Sequence, residues 1–378
     1  MKLTLLSGAY KNAGDFLIVN RCKELLKDIF PHCEIATLLR NEPLVDKLDI
    51  INQSSALIMA GGPVYSSNMY PDQIPLVPDL NDIKCKIVPI GLGWYGSDLF
   101  NETTYSYGFT EKMIKLLERM SHDSSLSCRD VHTANVLKNN GFNNVLITGC
   151  PAWYELSTVN SLSLRSGLNY PYKKICVSDP ARIEHHDCCF NIVSLLRKRY
   201  PDADITFIFH RGIVADNMTN EVQAASNIKL HERLQEIDVK VRDISYSHEG
   251  FGIYNDCDIH IGYRVHAHLY NLSIRNPSIL VEEDARGGVN ETLGLPSIKA
   301  YGEHKLTPKL ISNTNDLARK FVYSYYKFSD NNMHVLNNLS DILDLHESEN
   351  FLRYENVFRL QQHYYEIMKS HILSISSN

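Results

Sequence analysis

The stretch from Cys257 to Leu295 constrains the fold of this chain more than any other. It contains two short apolar runs, Asp258 to Gly262 and Pro277 to Val281, with a helical pattern over Val265 to Ile274 between them. Two buried strands around one helix form a βαβ unit, in which both strands lie parallel in one sheet. Both runs end in charged residues, and open α/β sheets bind ligands at the carboxyl ends of their strands. We therefore expect this stretch to carry part of a ligand site.

Strand and helix patterns alternate through the rest of the chain as well. In the first half the predicted strands are Leu3–Leu6, Ala56–Met59, Lys86–Ile90, Leu126–Cys128 and Asn144–Ile147, and the predicted helices are Phe16–Ile29, Phe109–Met120 and Thr133–Asn139. The pattern is lost in a linker at 157–172 and then restarts. The predicted strands there are Lys174–Val177, Ile205–Phe209, Val239–Val241, Ile259–Ile261 and Ile279–Val281, with helices at Ile192–Arg199 and Glu221–Arg233. Short apolar runs that each precede a helix indicate parallel sheets.

These patterns predict two doubly wound, Rossmann-like α/β domains. We place them at residues 1–156 and 170–340, followed by a helical segment at 345–378. A length of 378 residues agrees with two domains of ~150–200 residues each. Two such domains joined by one linker describe a GT-B-like fold with the active site in the interdomain cleft. We expect the first domain to form the acceptor side, the second the donor side, and the last segment to pack back on the first domain.

Composition narrows the class of protein. A net charge of −6 argues against a nucleic-acid binder, which needs a basic stripe to hold phosphates. Nine cysteines without a Cys-x-x-Cys pair predict small buried hydrophobes kept reduced in the cytosol. The N-terminus is a strand too short for a signal peptide, and no run reaches the ~18 apolar residues of a membrane span. We therefore expect a cytoplasmic enzyme.

Arg264 and His266 are the main candidates for a site on the second domain. Arginine offers a planar pair of donors that holds a carboxylate or phosphate at two points, and histidine can donate a proton near neutral pH. Both follow the strand that ends at Gly262, and both should point into the cleft. We assign Val265, which should point into the core, and His268 to the same donor side. The alternative is an arginine in a domain-interface salt bridge and a histidine that caps the helix.

Further candidates follow other strands of the same predicted sheet. Arg182 comes after the strand Lys174–Val177, and His210 and Arg211 end the next one, so all three should lie at the donor edge. The alternatives are a surface arginine and a solvated loop. Glu282 and Glu283 close the strand at Ile279–Val281, where a carboxylate could hold a ribose.

The first domain offers a candidate base in the turn after its first strand. Asp15 would face the cleft and take a proton from a sugar hydroxyl, while Asn12 and Gly14 shape the turn. The alternative is an aspartate that caps the following helix. Gly62 ends another strand and allows a ligand close to the backbone, or serves only as a turn residue. We assign Asn12, Gly14 and Gly62 to the acceptor side.

Four short motifs resemble the polysaccharide pyruvyl transferase family over roughly residues 1 to 300. They are Gly262-x-Arg264-x-His266-Ala267, Asn12-Ala-Gly-Asp15, Ser127-Cys-Arg-Asp130 with Gly149-Cys-Pro-Ala152, and Gly61-Gly-Pro63. Three positions depart from the family pattern: Val265 replaces a more usual Leu, Cys150 an Asp, and Arg286 a common Lys. From the residues alone, we interpret Arg129 and Asp130 as a structural ion pair.

The resemblance implies transfer of a pyruvyl group from phosphoenolpyruvate to a sugar of a surface polysaccharide or its lipid-linked precursor, forming a cyclic ketal. Arg182 and Arg264 would hold the donor, His266 would protonate its methylene carbon, and Asp15 would deprotonate the attacking hydroxyl. No cofactor and no metal is implied. Peripheral membrane contact through the acceptor and a homo-oligomer are further expectations. Two other functions remain open: a GT-B-type glycosyltransferase that uses a nucleotide sugar, and a non-catalytic sugar- or anion-binding module.

Overall fold

The first half of the chain forms a parallel sheet flanked by helices. The computed structural model describes residues 1–96, 104–300, 332–349 and 351–376. Strands β1 (Lys2–Ser7), β2 (Glu34–Leu39), β3 (Ala56–Ala60) and β4 (Lys86–Ile90) form a sheet of order β2-β1-β3-β4. Beyond β4 lies the pair β5 (Leu126–Cys128) and β6 (Val145–Ile147), joined to it by a bridge between Leu92 and Cys128. The helices are α1 (Ala13–Ile29), α2 (Leu48–Asn52), α3 (Glu111–Asp123) and α4 (Val131–Asn139).

The second half forms a six-stranded parallel sheet of order β12-β11-β10-β7-β8-β9. Its strands are β7 (Lys174–Ser178), β8 (Asp204–Phe209), β9 (Lys240–Asp243), β10 (Ile259–Gly262), β11 (Ser278–Glu282) and β12 (Ile298–Lys299). The helices are α5 (His186–Arg199), α6 (Glu221–Glu236), α7 (Val265–Ser273) and α8 (Val289–Leu293). Two parallel α/β sheets confirm the predicted fold class.

Two helices follow near the C-terminus. Helix α9 (Asn332–Ser348) packs on α5 and β12, and helix α10 (Arg353–Leu373) contacts α1, α8 and β6. The ring of His371 in α10 donates from Nε2 to the carbonyl oxygen of Pro89, 2.8 Å away. The predicted boundary between residues 340 and 345 falls inside α9. Residues 301–331 of the predicted second domain lie outside the described part of the chain.

Some elements differ from the sequence-based prediction. The prediction missed β2 and β12, and α5 begins at His186, six residues before the predicted helix. Strand β2 lies at the edge of its sheet, and none of its residues is fully buried. An edge strand of this kind lacks the continuous apolar run that marks a central strand such as β3, which is buried throughout. For this reason the pattern of buried apolar runs does not predict β2.

The order of the strands determines where a ligand can bind. In the first sheet the chain starts at β1, moves out to β2 and returns to β3 on the other side of β1. In the second sheet it starts at β7, moves out through β8 to β9 and returns to β10. The loops after β1 and β3, and those after β7 and β10, therefore diverge from each other. Such a switch point leaves a crevice at the carboxyl ends of the strands.

The two halves pack closely against each other. One apolar core contains Leu5 and Ile58 of the first sheet together with Leu280 of the second and Phe358 of α10. All nine cysteines, each within the described residues, are buried and free, as predicted. No helix in the described part of the chain is long and apolar enough to span a membrane.

Candidate active site

A cavity of about 190 Å³ lies between the switch points of the two sheets. Its lining is polar and strongly basic, with five arginines and two histidines. The first half contributes Asn12, Asp15, Arg40, Pro63 and Arg129; the second half contributes Ala181, His210, Arg211, Tyr263, Arg264, Val265, His266, Glu283 and Arg286. Most of the residues predicted on either side of the cleft therefore meet in one cavity.

Arg264 is held by a carboxylate of its own half. It precedes α7, and its side chain is only 9% exposed. Its Nε donates to Asp179 Oδ1 at 2.7 Å and its Nη2 to Asp179 Oδ2 at 2.5 Å. With a third bond from Nη2 to the carbonyl oxygen of Pro180 at 3.3 Å, these bonds use the donors of Nε and Nη2 and leave those of Nη1 for a ligand. The salt bridge suggested as the alternative exists, but it lies within the second half and not at the domain interface.

His266 lies one residue into α7 and contacts the first half. Its ring covers Gly14, where a β-carbon would lie 2.7 Å from its Cγ. Burial lowers the pKa of His266 to about 3, helped by the positive charges of Arg129, Arg286, Arg264 and Arg40. Its Nε2 is buried without a hydrogen-bond partner in the described part of the chain. Buried polar atoms normally have a hydrogen-bond partner, and in the cavity that His266 lines a ligand can supply one.

Asp15 lies in the first turn of α1 and lines the same cavity as His266. It accepts a hydrogen bond from Asn12 Nδ2 at 3.1 Å, and burial raises its pKa, an effect that Arg40 partly offsets. Asn12, not Asp15, occupies the N-cap position of the helix, so the capping alternative for Asp15 is wrong. A carboxylate with a raised pKa is suited to accept a proton near neutral pH.

Of the four further arginines that line the cavity, Arg129, Arg286 and Arg40 differ in their partners. Arg129 pairs through Nε with Asp130 Oδ2 at 3.0 Å, which confirms the predicted ion pair. Its Nη2, however, is buried without a partner among the described residues. Arg286 forms two 2.7 Å bonds with Asp284. Arg40 makes no side-chain hydrogen bond or ion pair within the described ranges.

Glu283 places a second carboxyl group in the cavity. Its Oε1 accepts hydrogen bonds from the backbone N–H groups of Ala181 at 2.8 Å and Arg182 at 3.1 Å. Burial raises the pKa of Glu283 to about 7, although Arg286 and Arg264 act in the opposite direction. The group therefore exchanges a proton close to neutral pH.

Comparison with known proteins identifies the family of this chain. The model of the family described as polysaccharide pyruvyl transferase matches residues 12–281, which is more than half of the chain. The chain belongs to the polysaccharide pyruvyl transferase family. It is therefore a transferase. No curated protein matches it in sequence.

Solved structures resemble this transferase in fold. A putative UDP-N-acetylglucosamine 2-epimerase from Listeria monocytogenes aligns over 99% of this chain and 95% of its own, with 10% identity and a TM-score of 0.53. UDP-GlcNAc 2-epimerase from Neisseria meningitidis, solved with UDP-GlcNAc, aligns over 91% and 99%, with 12% identity and a TM-score of 0.48. MnaA from S. aureus, solved with UDP, aligns over 91% and 97%, with 12% identity and a TM-score of 0.47. At this identity the likeness concerns the fold alone, which is GT-B-like.

The loop between β1 and α1 contacts the second half of the transferase beside the cavity. Lys11, whose side chain is 2% exposed, pairs with Asp216 and donates from Nζ to Thr219 Oγ1 at 2.6 Å. The backbone N–H of Ala13 donates to the carbonyl oxygen of His210 at 3.0 Å. The loop that leads to Asp15 is therefore attached to the loop that follows His210. His210 itself is buried and bonds Tyr254 through Nε2 at 2.7 Å, and burial next to Arg264 lowers its pKa well below the usual value.

Four predicted site residues of the transferase do not line the cavity. His268 is fully buried and bonds Ser278 through Nδ1 at 2.8 Å, so it serves the core of the second half. Arg182 is not among the lining residues, and its backbone N–H donates to Glu283 Oε1. Gly14 and Gly62 lie behind the lining, where they make room for His266 and Arg40 respectively. Val265, predicted to point into the core, packs partly against the core and also reaches the cavity.

The prediction missed three arginines of the lining as ligand contacts: Arg40, Arg129 and Arg286. Arg129 and Arg286 had a signal, since both lie in segments that resemble the family motifs. Arg40 had none, because the strand before it was not predicted. Within the described ranges no group of three or more His, Cys, Asp or Glu side chains is arranged to hold a metal ion.

Proposed function

We propose that this transferase moves a pyruvyl group from phosphoenolpyruvate to two hydroxyls of a sugar, forming a cyclic ketal. The acceptor would belong to a surface polysaccharide or its lipid-linked precursor. One observation carries the proposal: two candidate proton-transfer groups from opposite halves, Asp15 and His266, meet in a small cavity lined by five arginines. A donor with both a phosphate and a carboxylate needs several cationic contacts, and this cavity supplies them.

The reaction follows from the chemistry of an enol phosphate. A proton added to the methylene carbon turns it into a methyl group and makes the central carbon electrophilic. One sugar hydroxyl attacks that carbon and gives its proton to Asp15, whose raised pKa favours acceptance. The bond from the central carbon to the phosphate oxygen then breaks, and phosphate leaves. The second hydroxyl attacks the same carbon and closes the ring, and its proton passes to the released phosphate. The products are the ketal and inorganic phosphate.

His266 is the proposed acid, and the donor would bring it into the required state. Without a ligand, its pKa of about 3 keeps the ring neutral near pH 7. Burial and the nearby arginines both lower this pKa, and a bound donor that carries a phosphate and a carboxylate would offset the arginines and raise it. Its buried Nε2 has no partner in the described part of the chain and is open to such a ligand. Glu283, with a pKa raised to about 7, is a second proton source in the same cavity.

The glycosyltransferase alternative receives less support from the site. It requires Glu282 or Glu283 to hold a ribose, but Glu282 lies outside the cavity and accepts a 3.0 Å bond from Asn290. Glu283 is already engaged by two backbone N–H groups. The cavity volume of about 190 Å³ also falls below the ~300–1,000 Å³ typical of sites for drug-sized ligands. A compact dianion fits this space better than a nucleotide sugar.

Titration calorimetry separates the three candidate functions. Phosphoenolpyruvate should bind the purified protein, and UDP-N-acetylglucosamine should not. Binding of the nucleotide sugar alone would favour the glycosyltransferase, and binding of acceptor glycan without either donor would favour the non-catalytic module. Turnover in heavy water should then place deuterium in the pyruvyl methyl group of the product. A product methyl group without deuterium would exclude protonation of the methylene carbon by a group that exchanges with solvent.

A further inference from the structure

We infer that Arg40 is a donor-binding residue, and that together with Arg211 it holds the phosphate of the donor from the opposite side of the cavity. This inference rests on the proposed function. It assigns a donor contact to the first half, which we had predicted to form the acceptor side.

The fold brings Arg40 to the cavity through an edge strand. Arg40 follows β2 directly, and its backbone N–H donates to the carbonyl oxygen of Ser7 at the end of β1. This bond continues the pairing of the two strands to their carboxyl ends. The side chain then extends across the edge of the sheet and lines the cavity. The sheet holds the backbone of Arg40, and its side chain pairs with no carboxylate among the described residues.

Two glycines leave the space that the guanidinium of Arg40 occupies. A β-carbon on Gly8 would clash with the guanidinium carbon and lie 2.5 Å from Nη2 and 2.7 Å from Nε. A β-carbon on Gly62 would lie 2.9 Å from Nη1. Gly8 and Gly62 follow β1 and β3, the strands on either side of the first switch point. The crevice between them is therefore filled by Arg40, whose charge faces the site.

The charges of the cavity favour a phosphate at this point. Arg264, Arg286 and Arg129 each pair with an aspartate, which neutralises most of their charge. Arg40 and Arg211 have no carboxylate partner within hydrogen-bond distance among the described residues. Arg40 and Arg211 line the cavity together with Asp15, and the positive charge of each opposes the raised pKa of that carboxyl. Two unpaired guanidinium groups match a phosphate dianion in charge and in the number of donors.

The test compares variants of the full chain by calorimetry with phosphoenolpyruvate and with inorganic phosphate. Arg40→Gln should weaken both ligands by about ten- to a hundredfold, the usual effect of losing one charge-assisted contact. Gly8→Ala should weaken them too, because its methyl group must displace the guanidinium without changing the charge of the protein. The backbone of Gly8 lies outside the left-handed region, so alanine is tolerated there. The double variant should bind no more weakly than Arg40→Gln.

Arg242→Gln is the matched control, because Arg242 is exposed and, among the described residues, its side chain bonds only the carbonyl oxygen of Val241. It should bind both ligands as the wild type does. Folded Arg40→Gln with wild-type affinity for both ligands would overturn the inference, and so would a further loss in the double variant. If the wild type binds phosphate but not phosphoenolpyruvate, the proposed function fails, whereas loss of phosphate affinity in Arg40→Gln still supports Arg40 as the contact. A wild type that binds neither ligand would overturn both.

Discussion

Replacing Glu283 with glutamine should change how the stability of the transferase depends on pH. Glu283 is 6% exposed, and burial raises its pKa from 4.5 to about 7. Between these two values the folded protein keeps a proton that the unfolded chain has released. Each increase in pH across this window therefore lowers the free energy of unfolding. At higher pH the accumulated loss is about 3 kcal/mol, since one pH unit corresponds to about 1.4 kcal/mol.

The variant should lack this loss. Glutamine does not ionise, and its side-chain oxygen can still accept from the N–H groups of Ala181 and Arg182. The free energy of unfolding of Glu283→Gln, relative to the wild type, should therefore rise by up to about 3 kcal/mol between about pH 4.5 and about pH 8. Urea unfolding, followed by the fluorescence of Trp94 and Trp153, measures this difference. Comparing the two proteins at each pH cancels the contributions of other buried groups.

Glu118→Gln is the control, because Glu118 is exposed on α3. Its difference from the wild type should stay nearly constant with pH. If the Glu283→Gln difference were equally flat, the carboxyl would not hold its proton in the folded state. Glu283 would then have to be removed as a proton source for the reaction.

The remaining predictions concern the reaction and the contacts around it. His266→Gln should lower turnover by roughly 10²–10⁴-fold in a steady-state assay with much less loss of donor affinity, and equal loss of both would make His266 a binding residue only. Arg264→Lys should lower the free energy of unfolding by about 1.5–3 kcal/mol, because the paired charge-assisted bonds to Asp179 are lost. Urea unfolding measures this change, and an unchanged stability would contradict the role assigned to the pair. Lys11→Met should destabilise the protein by about 1–3 kcal/mol and weaken phosphoenolpyruvate binding, because the loop after His210 loses its contact with Lys11. Urea unfolding and calorimetry measure the two effects, and wild-type values for both would refute this link.

Local sequence patterns are sufficient to predict most of the strands and the loops that carry the site. Buried strands such as β4 and β10 appear as short apolar runs, and the charged and polar residues after β10 mark the ligand edge of a parallel sheet. That local logic is sufficient to select Asp15, Arg264 and His266, which all reach the cavity. Periodicity depends only on neighbours along the chain, so the sequence displays it directly.

Which charged side chains remain available to a ligand depends on the packing of the two halves and cannot be predicted from local patterns. Arg264 is neutralised by Asp179, 85 positions away, and His268 turns into the core although it follows His266 by only two residues. Arg40 reaches the cavity because an edge strand, only partly buried and therefore without a clear pattern, places it over two glycines. Pairing of charges and filling of crevices depend on distances between segments far apart in the chain. These distances exist only once the two sheets have packed together.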